Sequence, residues 1–146
     1  MAHETEFTRW FARSNGSWKS SRRYLYGPKR KADNYETEFS VNTLDNTVTI
    51  SWDGDKSSGD MNFVLEGNLA KRDVGYFTDE PTNSEMTMID KDCVVFVTSY
   101  DGTTYREEIR LCYNDNVRLR QTVAQKDNGD INIVGQYFEE RVNTSE

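Results

Sequence analysis

Arg118 and Arg120 stand two residues apart in a run where charged and apolar side chains alternate, and Thr122 continues the same parity. Successive side chains of an extended strand point to opposite faces, so these three share one face while Val117, Leu119 and Gln121 share the other. Arginine carries a permanent charge on a planar fork of donors, the geometry that holds a carboxylate through two hydrogen bonds at once. Ten residues before Arg118, Glu108 lies on a face with Arg106, Arg110 and Cys112, whereas Tyr105, Ile109, Leu111 and Tyr113 belong to the apolar side. If such charged faces line a cavity, they meet a polar ligand. If they meet water, they form a solvated cross-strand charge ladder. Alternation alone leaves both readings open.

Other chemistries lack their residues. The one histidine is His3, there is no Cys-x-x-Cys, and a metal site has few ligands to draw on. No Gly-x-Ser-x-Gly occurs, and with His3 alone there is no Ser-His pair for hydrolysis. Cys93 and Cys112 both fall in apparent strands and read as reduced, buried thiols.

The elements that position these residues follow from period and punctuation. Phe7, Trp10 and Phe11 recur at helical spacing, which predicts a helix over about 4–14, with Gly16 as a left-handed cap after it. From residue 17 the period falls to two. Strands are expected near 17–26, 34–43, 46–53, 60–67, 70–77, 85–90, 93–99, 103–113, 116–125 and 130–141. Asp45-Asn46, Asp53-Gly54, Asp101-Gly102, Asn114-Asp115-Asn116 and Asn128-Gly129-Asp130 separate strands, and Pro81 falls in a polar loop at 78–84. Short strands in sequence imply antiparallel neighbours, and closing the sheet removes its exposed edges. The fold class is therefore all-β: a ten-stranded antiparallel barrel with an N-terminal helix, filling residues 1–146 as one domain.

Composition agrees. The chain has 146 residues, 35% of them hydrophobic and 12% aromatic, which suits a thin wall around a partly polar lumen rather than a large solid core. A net charge of −7 argues against nucleic acid as a partner. No apolar run is long enough for a membrane helix, and no secretory signal is read at the start. Lys29, Arg30 and Lys31 are expected to be solvated.

Several motifs resemble, in order, those of the S-type phycobiliprotein lyases. Gly16-Ser17-Trp18 matches the Gly-x-Trp of lipocalin-like barrels, and Trp18-Lys19-Ser20-Ser21-Arg22 resembles the lyase opening. Ser51-Trp52-Asp53-Gly54 resembles the family's Trp-Asp-Gly turn. Tyr105-Arg106-Glu107-Glu108, followed by Asn116-Val117-Arg118-Leu119-Arg120-Gln121-Thr122, is similar to its paired block. Phe138-Glu139-Glu140-Arg141 resembles the closing Glu-x-Arg strand. The chain departs where some members carry a second tryptophan after Trp-Asp-Gly, and where Tyr24-Leu25-Tyr26 replaces a His-rich stretch.

The resemblance implies a lipocalin-like or fatty-acid-binding-like barrel that holds an open-chain tetrapyrrole, phycoerythrobilin first and phycocyanobilin second. It implies a lyase that attaches the bilin by a thioether to a cysteine of an apo-phycobiliprotein subunit, the β-subunit by preference. The bilin is then substrate, and no separate cofactor is expected. Glu108 becomes the catalytic candidate, a carboxylate accepting from pyrrole nitrogens and favouring a protonated bilin. Arg22, Trp52, Arg118, Arg120, Thr122 and Glu139 become the ligand-binding candidates, the arginines for the two propionates and Trp52, Tyr24 or Tyr76 for ring stacking. A homodimer or heterodimer is expected, in the cytoplasm or in a plastid. The alternatives are a non-catalytic carrier of a bilin or other apolar ligand on the same barrel, and a passive interaction subunit.

Overall fold

The computed structural model describes residues 5–27, 31–54, 57–73 and 81–142; His3, Lys29, Arg30 and Tyr76 lie outside them. A short helix, α1 (Glu6–Ala12), is followed by ten strands: β1 (Gly16–Tyr26), β2 (Lys31–Leu44), β3 (Thr47–Gly54), β4 (Ser58–Glu66), β5 (Leu69–Arg72), β6 (Thr82–Asp90), β7 (Cys93–Tyr100), β8 (Thr103–Cys112), β9 (Val117–Lys126) and β10 (Ile131–Arg141). Each strand pairs antiparallel with the next, and β10 returns to β1, so the sheet closes into a barrel. The expected architecture is the observed one. β2 starts earlier than expected and β6 opens at Thr82, inside the segment expected to be loop; β5 ends at Arg72, and 74–77 fall outside the described residues.

The tight turn at Asp101-Gly102 has positive φ at both positions (52° and 74°), the handedness that joins two strands with two residues. The helix does not end at Gly16. Its cap is Arg13, in right-handed geometry, and Thr5 caps the start by accepting from the Thr8 amide at 3.2 Å. Gly16 opens β1 instead, at φ 124°, where a Cβ would stand 2.8 Å from Nη1 of Arg141. That space lets the Arg141 guanidinium lie over the Trp18 ring at 4.5 Å while donating to the carbonyls of Arg13, Asn15 and Asp115. The Gly-x-Trp and Glu-x-Arg segments are thus two halves of one closure between the first strand and the last.

Because the strands run up and down, the turns after β2, β4, β6 and β8 share one end of the barrel. The helix seals that end. Trp10 donates to the Asp92 carbonyl at 3.0 Å, and Arg13 bridges Asp92 and Asp115 at 2.6 and 2.7 Å. Phe11 packs edge-on against Phe63 at 5.2 Å and tilts against Phe96 at 5.7 Å. Trp10, Phe11, Trp18, Val48, Phe63, Met86, Val94 and Phe96 form the apolar core here. The β8–β9 turn places Tyr113, Asn114 and Asp115 at φ of 52°, 55° and 65°, three left-handed residues in succession without a glycine. No helix among the described residues is long and apolar enough to cross a membrane. Cys93 is buried, Cys112 half-buried, and both are free thiols.

Candidate functional site

Above the sealed end the wall turns polar, and it does so through side chains that alternation aims inward. On β9, Arg118 and Thr122 are buried and Arg120 is mostly so, while Leu119 and Gln121 face out. On β10, Glu139 is fully buried and Glu140 is exposed. On β1, Ser20 is buried and Arg22 half-buried. The register sets Glu139 between Ser20 of β1 and Arg118 of β9, so three strands meet at one carboxylate.

Glu139 accepts from Arg118 Nε at 3.0 Å, Arg120 Nη1 at 2.9 Å and the Ser20 hydroxyl at 2.8 Å, with Arg22 Nη2 at 3.9 Å. Burial alone would raise this carboxyl's pKa. The charges of Arg120, Arg118 and Arg22, with the Ser20 hydrogen bond, outweigh it and hold Glu139 below the usual range. Burial is also the largest influence on Arg118, which comes down to about 10 although Glu139 opposes it, and it stays charged at neutral pH. Burial opposes the charge on Arg120 as well, but Glu139 and Glu107 together raise its pKa.

Glu107 is the residue that sequence reading missed. It is 3% exposed and binds Arg120 Nη2 through Oε2 at 2.5 Å. Its neighbour Glu108, the expected catalytic carboxylate, is exposed and pairs across the ladder with Gln121 on the outer surface. The reason is parity: Ile109 and Leu111, which face the core, share their face with Glu107 and not Glu108. A carboxylate on an otherwise apolar face was the available signal. Glu108 instead borders a groove of about 790 Å³ whose lining includes the exposed pair Leu119 and Phe138 together with Arg22, Arg120 and Tyr137.

The interior holds a cavity of about 430 Å³. Arg22, Arg118, Arg120, Glu107 and Arg72 supply its charged lining, and Phe39, Phe63, Phe96, Trp52, Tyr24 and Tyr35 supply rings. Trp52 is half-buried and donates to the Ser57 hydroxyl at 3.2 Å. Tyr137 carries Arg120 over its ring at 4.3 Å and Arg22 at 5.1 Å, and shares a 3.0 Å hydrogen bond with Thr122. Burial raises the Tyr137 pKa above its ordinary value. Gly135 makes this possible, since a Cβ there would stand 2.6 Å from the Thr122 hydroxyl and 2.8 Å from that of Tyr137. Thr122 therefore orients Tyr137 beneath the two arginines.

Of the residues singled out from the sequence, Arg22, Trp52, Arg118 and Arg120 line this cavity, Glu139 lies behind it on the arginines, Thr122 lies against Tyr137, and Glu108 is outside. In this interior Arg22, Arg72, Arg118 and Arg120 meet the carboxylates of Glu107 and Glu139. Guanidinium forks and rings on one cavity wall suit a ligand with acidic groups and a ring-rich body.

A family model described as a CpeS-like protein matches residues 57–142. A relative from Picosynechococcus sp. named "Putative chromophore lyase CpcV" is 31% identical over 84 residues, covering 58% of this chain and 41% of its own. The chain thus spans about two fifths of the length of that relative. The solved S-type phycobiliprotein lyase CPES from Guillardia theta superposes with a TM-score of 0.75 at 18% identity, over 99% of this chain and 95% of its own. A protein of unknown function in the DUF3598 family, from Nostoc punctiforme, gives a TM-score of 0.67 at 16% identity, over 89% of this chain and 48% of its own. At these identities the two solved structures establish likeness of fold.

Proposed function

This chain belongs to the CpeS-like protein family, and from that premise we propose that its barrel holds an open-chain tetrapyrrole and delivers it to a cysteine of a phycobiliprotein subunit. The observation that carries the reading is the lumen cluster of Arg22, Arg118, Arg120 and Glu139 beside a ring-lined cavity. A bilin brings two propionates and a conjugated chain of pyrroles. Bidentate arginines suit the former, and Trp52, Tyr24 and Tyr35 the latter.

The covalent step is addition of the acceptor cysteine's S–H across a carbon–carbon double bond on an end ring of the bilin. The sulfur–carbon bond forms, the π bond is lost, and the thiol proton ends on the bilin, so neither an oxidant nor a resident cofactor is needed. The protein's part is to bind, orient and shield the bilin. In this reading Glu107, buried and paired with Arg120, accepts from pyrrole N–H groups. The acceptor is an apo-phycobiliprotein, the β-subunit by preference, and the setting is the cytoplasm.

The test mixes the purified protein with phycoerythrobilin and, in parallel, phycocyanobilin, and records absorbance. A red-shifted, protein-dependent band is expected, stronger with phycoerythrobilin. Adding an apo-β-subunit is then expected to give a covalent adduct that survives denaturation. Absence of a band with both bilins overturns the reading; a band without any transfer leaves a carrier in place of a lyase.

A further inference from the structure

Thr37 lies on the inner face of β2, between Tyr35 and Phe39. The inward side chains of this strand pass from buried at Val41 and Phe39 to half-buried at Thr37 and Tyr35, so the cavity widens along it away from the helix. Each ring around Thr37 is held by another neighbour. Trp52 rests against Gly59 of β4, where a Cβ would stand 2.9 Å from the indole, and its N–H donates to Ser57 at 3.2 Å. Tyr35 tilts against Tyr24 of β1 at 5.3 Å, and Phe39 stacks with Trp18 at 6.5 Å. Directly across the ladder from Thr37 is Gly54, where a Cβ would come within 2.8 Å of the Thr37 hydroxyl. Three rings engaged elsewhere and one glycine leave Thr37 on the cavity wall.

Its hydroxyl differs from the others near the arginines. Ser20, opposite Thr37 on β1, donates to Glu139, and Thr122 is joined to Tyr137. The Thr37 hydroxyl has no hydrogen-bond partner among the described residues. Arg22 pairs with Tyr35 in the same ladder and is therefore the diagonal neighbour of Thr37. Such neighbours lie about 7–8 Å apart, so one ligand can meet both. A guanidinium suits an acid, and a neutral hydroxyl suits a neutral acceptor. An open-chain tetrapyrrole carries both kinds of group: propionates on its inner rings and a lactam carbonyl on each end ring. We infer that Thr37 is a specificity-determining contact, whose hydroxyl donates to the lactam carbonyl of the end ring that lies between Trp52 and Tyr35. This rests on the reading that the cavity holds an open-chain tetrapyrrole, and it gives that ligand a neutral, directional contact beside the charged ones.

The test binds phycoerythrobilin to the wild type, Thr37→Val and Thr37→Ser, and records affinity together with the infrared carbonyl stretches of the two lactams. Valine keeps the branched shape and loses the hydroxyl; serine keeps the hydroxyl. Thr37→Val is expected to weaken binding by roughly three- to tenfold, the scale of one neutral hydrogen bond. One of the two lactam stretches should move to higher frequency in that variant and return in Thr37→Ser. A threonine that serves packing alone would leave both stretches in place. Unmoved stretches in Thr37→Val thus overturn the inference while the tetrapyrrole reading stands, and if the wild type binds no bilin, both fall. Should Thr37→Val fail to fold, Gly54→Ala gives the same readout from across the ladder. Its methyl crowds the hydroxyl, so the same stretch should rise with Thr37 intact, and an unmoved stretch counts against the contact.

Discussion

Glu107 and Glu108 are consecutive residues of β8 that face opposite sides of the barrel wall: the first binds Arg120 inside, and the second pairs with Gln121 outside. Their substitutions should therefore separate cleanly. Glu107→Gln is expected to weaken bilin capture by roughly ten- to a hundredfold, the scale of a lost charge-assisted hydrogen bond, whereas Glu108→Gln should leave capture unchanged. Titrations of the two variants side by side make the comparison, and equal losses would mean that the lumen is not the binding surface.

Glu139 predicts a pH dependence of stability. Its carboxyl is held below the ordinary range when folded. Such a group adds stability above the unfolded value, about 4.3 for glutamate, and that stability drains away as pH falls through the lower folded value. Urea midpoints of the wild type should thus be flat near neutrality and decline below about pH 4.5. Glu139→Gln should be less stable at pH 7, since it leaves Arg118, Arg120 and Arg22 without their shared counter-charge; breaking a buried pair costs about 3–5 kcal/mol. The gap between the two proteins should narrow as the solution becomes acidic. A gap that widens in acid would contradict the assignment.

Gly16→Ala tests the closure between β1 and β10. The new methyl meets Arg141 at a φ that L residues rarely adopt. A loss of about 1–3 kcal/mol is expected, seen as a melting temperature lower by several degrees. Near-UV circular dichroism should change with it, because the ring of Trp18 lies under that guanidinium.

The β8–β9 turn predicts a gain. Asn114 stands at φ 55°, exposed, in the middle of three left-handed residues. Glycine occupies that region without the Cβ penalty of about 1 kcal/mol, so Asn114→Gly should raise stability by a fraction of that amount after its extra unfolded-state entropy is counted. Chemical denaturation resolves such a change; a loss of stability would mean that the asparagine side chain contributes more than the strain it tolerates.

Much of this fold was readable in the sequence, and the shortfall has a physical cause. The Phe7, Trp10, Phe11 spacing and the two-residue alternation marked the helix and ten strands, because both periods are direct images of backbone geometry. Asp101-Gly102 announced its turn for the same reason. Alternation says which residues share a face, however, and not which face is inside. β8 turns its charged face outward and β9 turns its charged face inward, so a common rule for charged faces succeeds with Arg118 and Arg120 and fails with Glu108. Glu107 and Arg72 were hidden because each is a charge on a core-facing position, tolerated through a partner that the neighbouring strand brings into place. Such partners are contacts of tertiary structure, and no local pattern records them.

The closure of β10 on β1 has a temporal consequence. Ser20 and Glu139 are joined across 119 residues of sequence, and the arginines of β9 find their shared carboxylate only when the last strand is in place. During synthesis, a chain that has completed β9 can pair Arg120 with Glu107 but has no Glu139 to join Arg118, Arg120 and Ser20. The lumen cluster is therefore completed by the same event that shuts the wall, and a ribosome-bound chain lacking β10 lacks its central carboxylate.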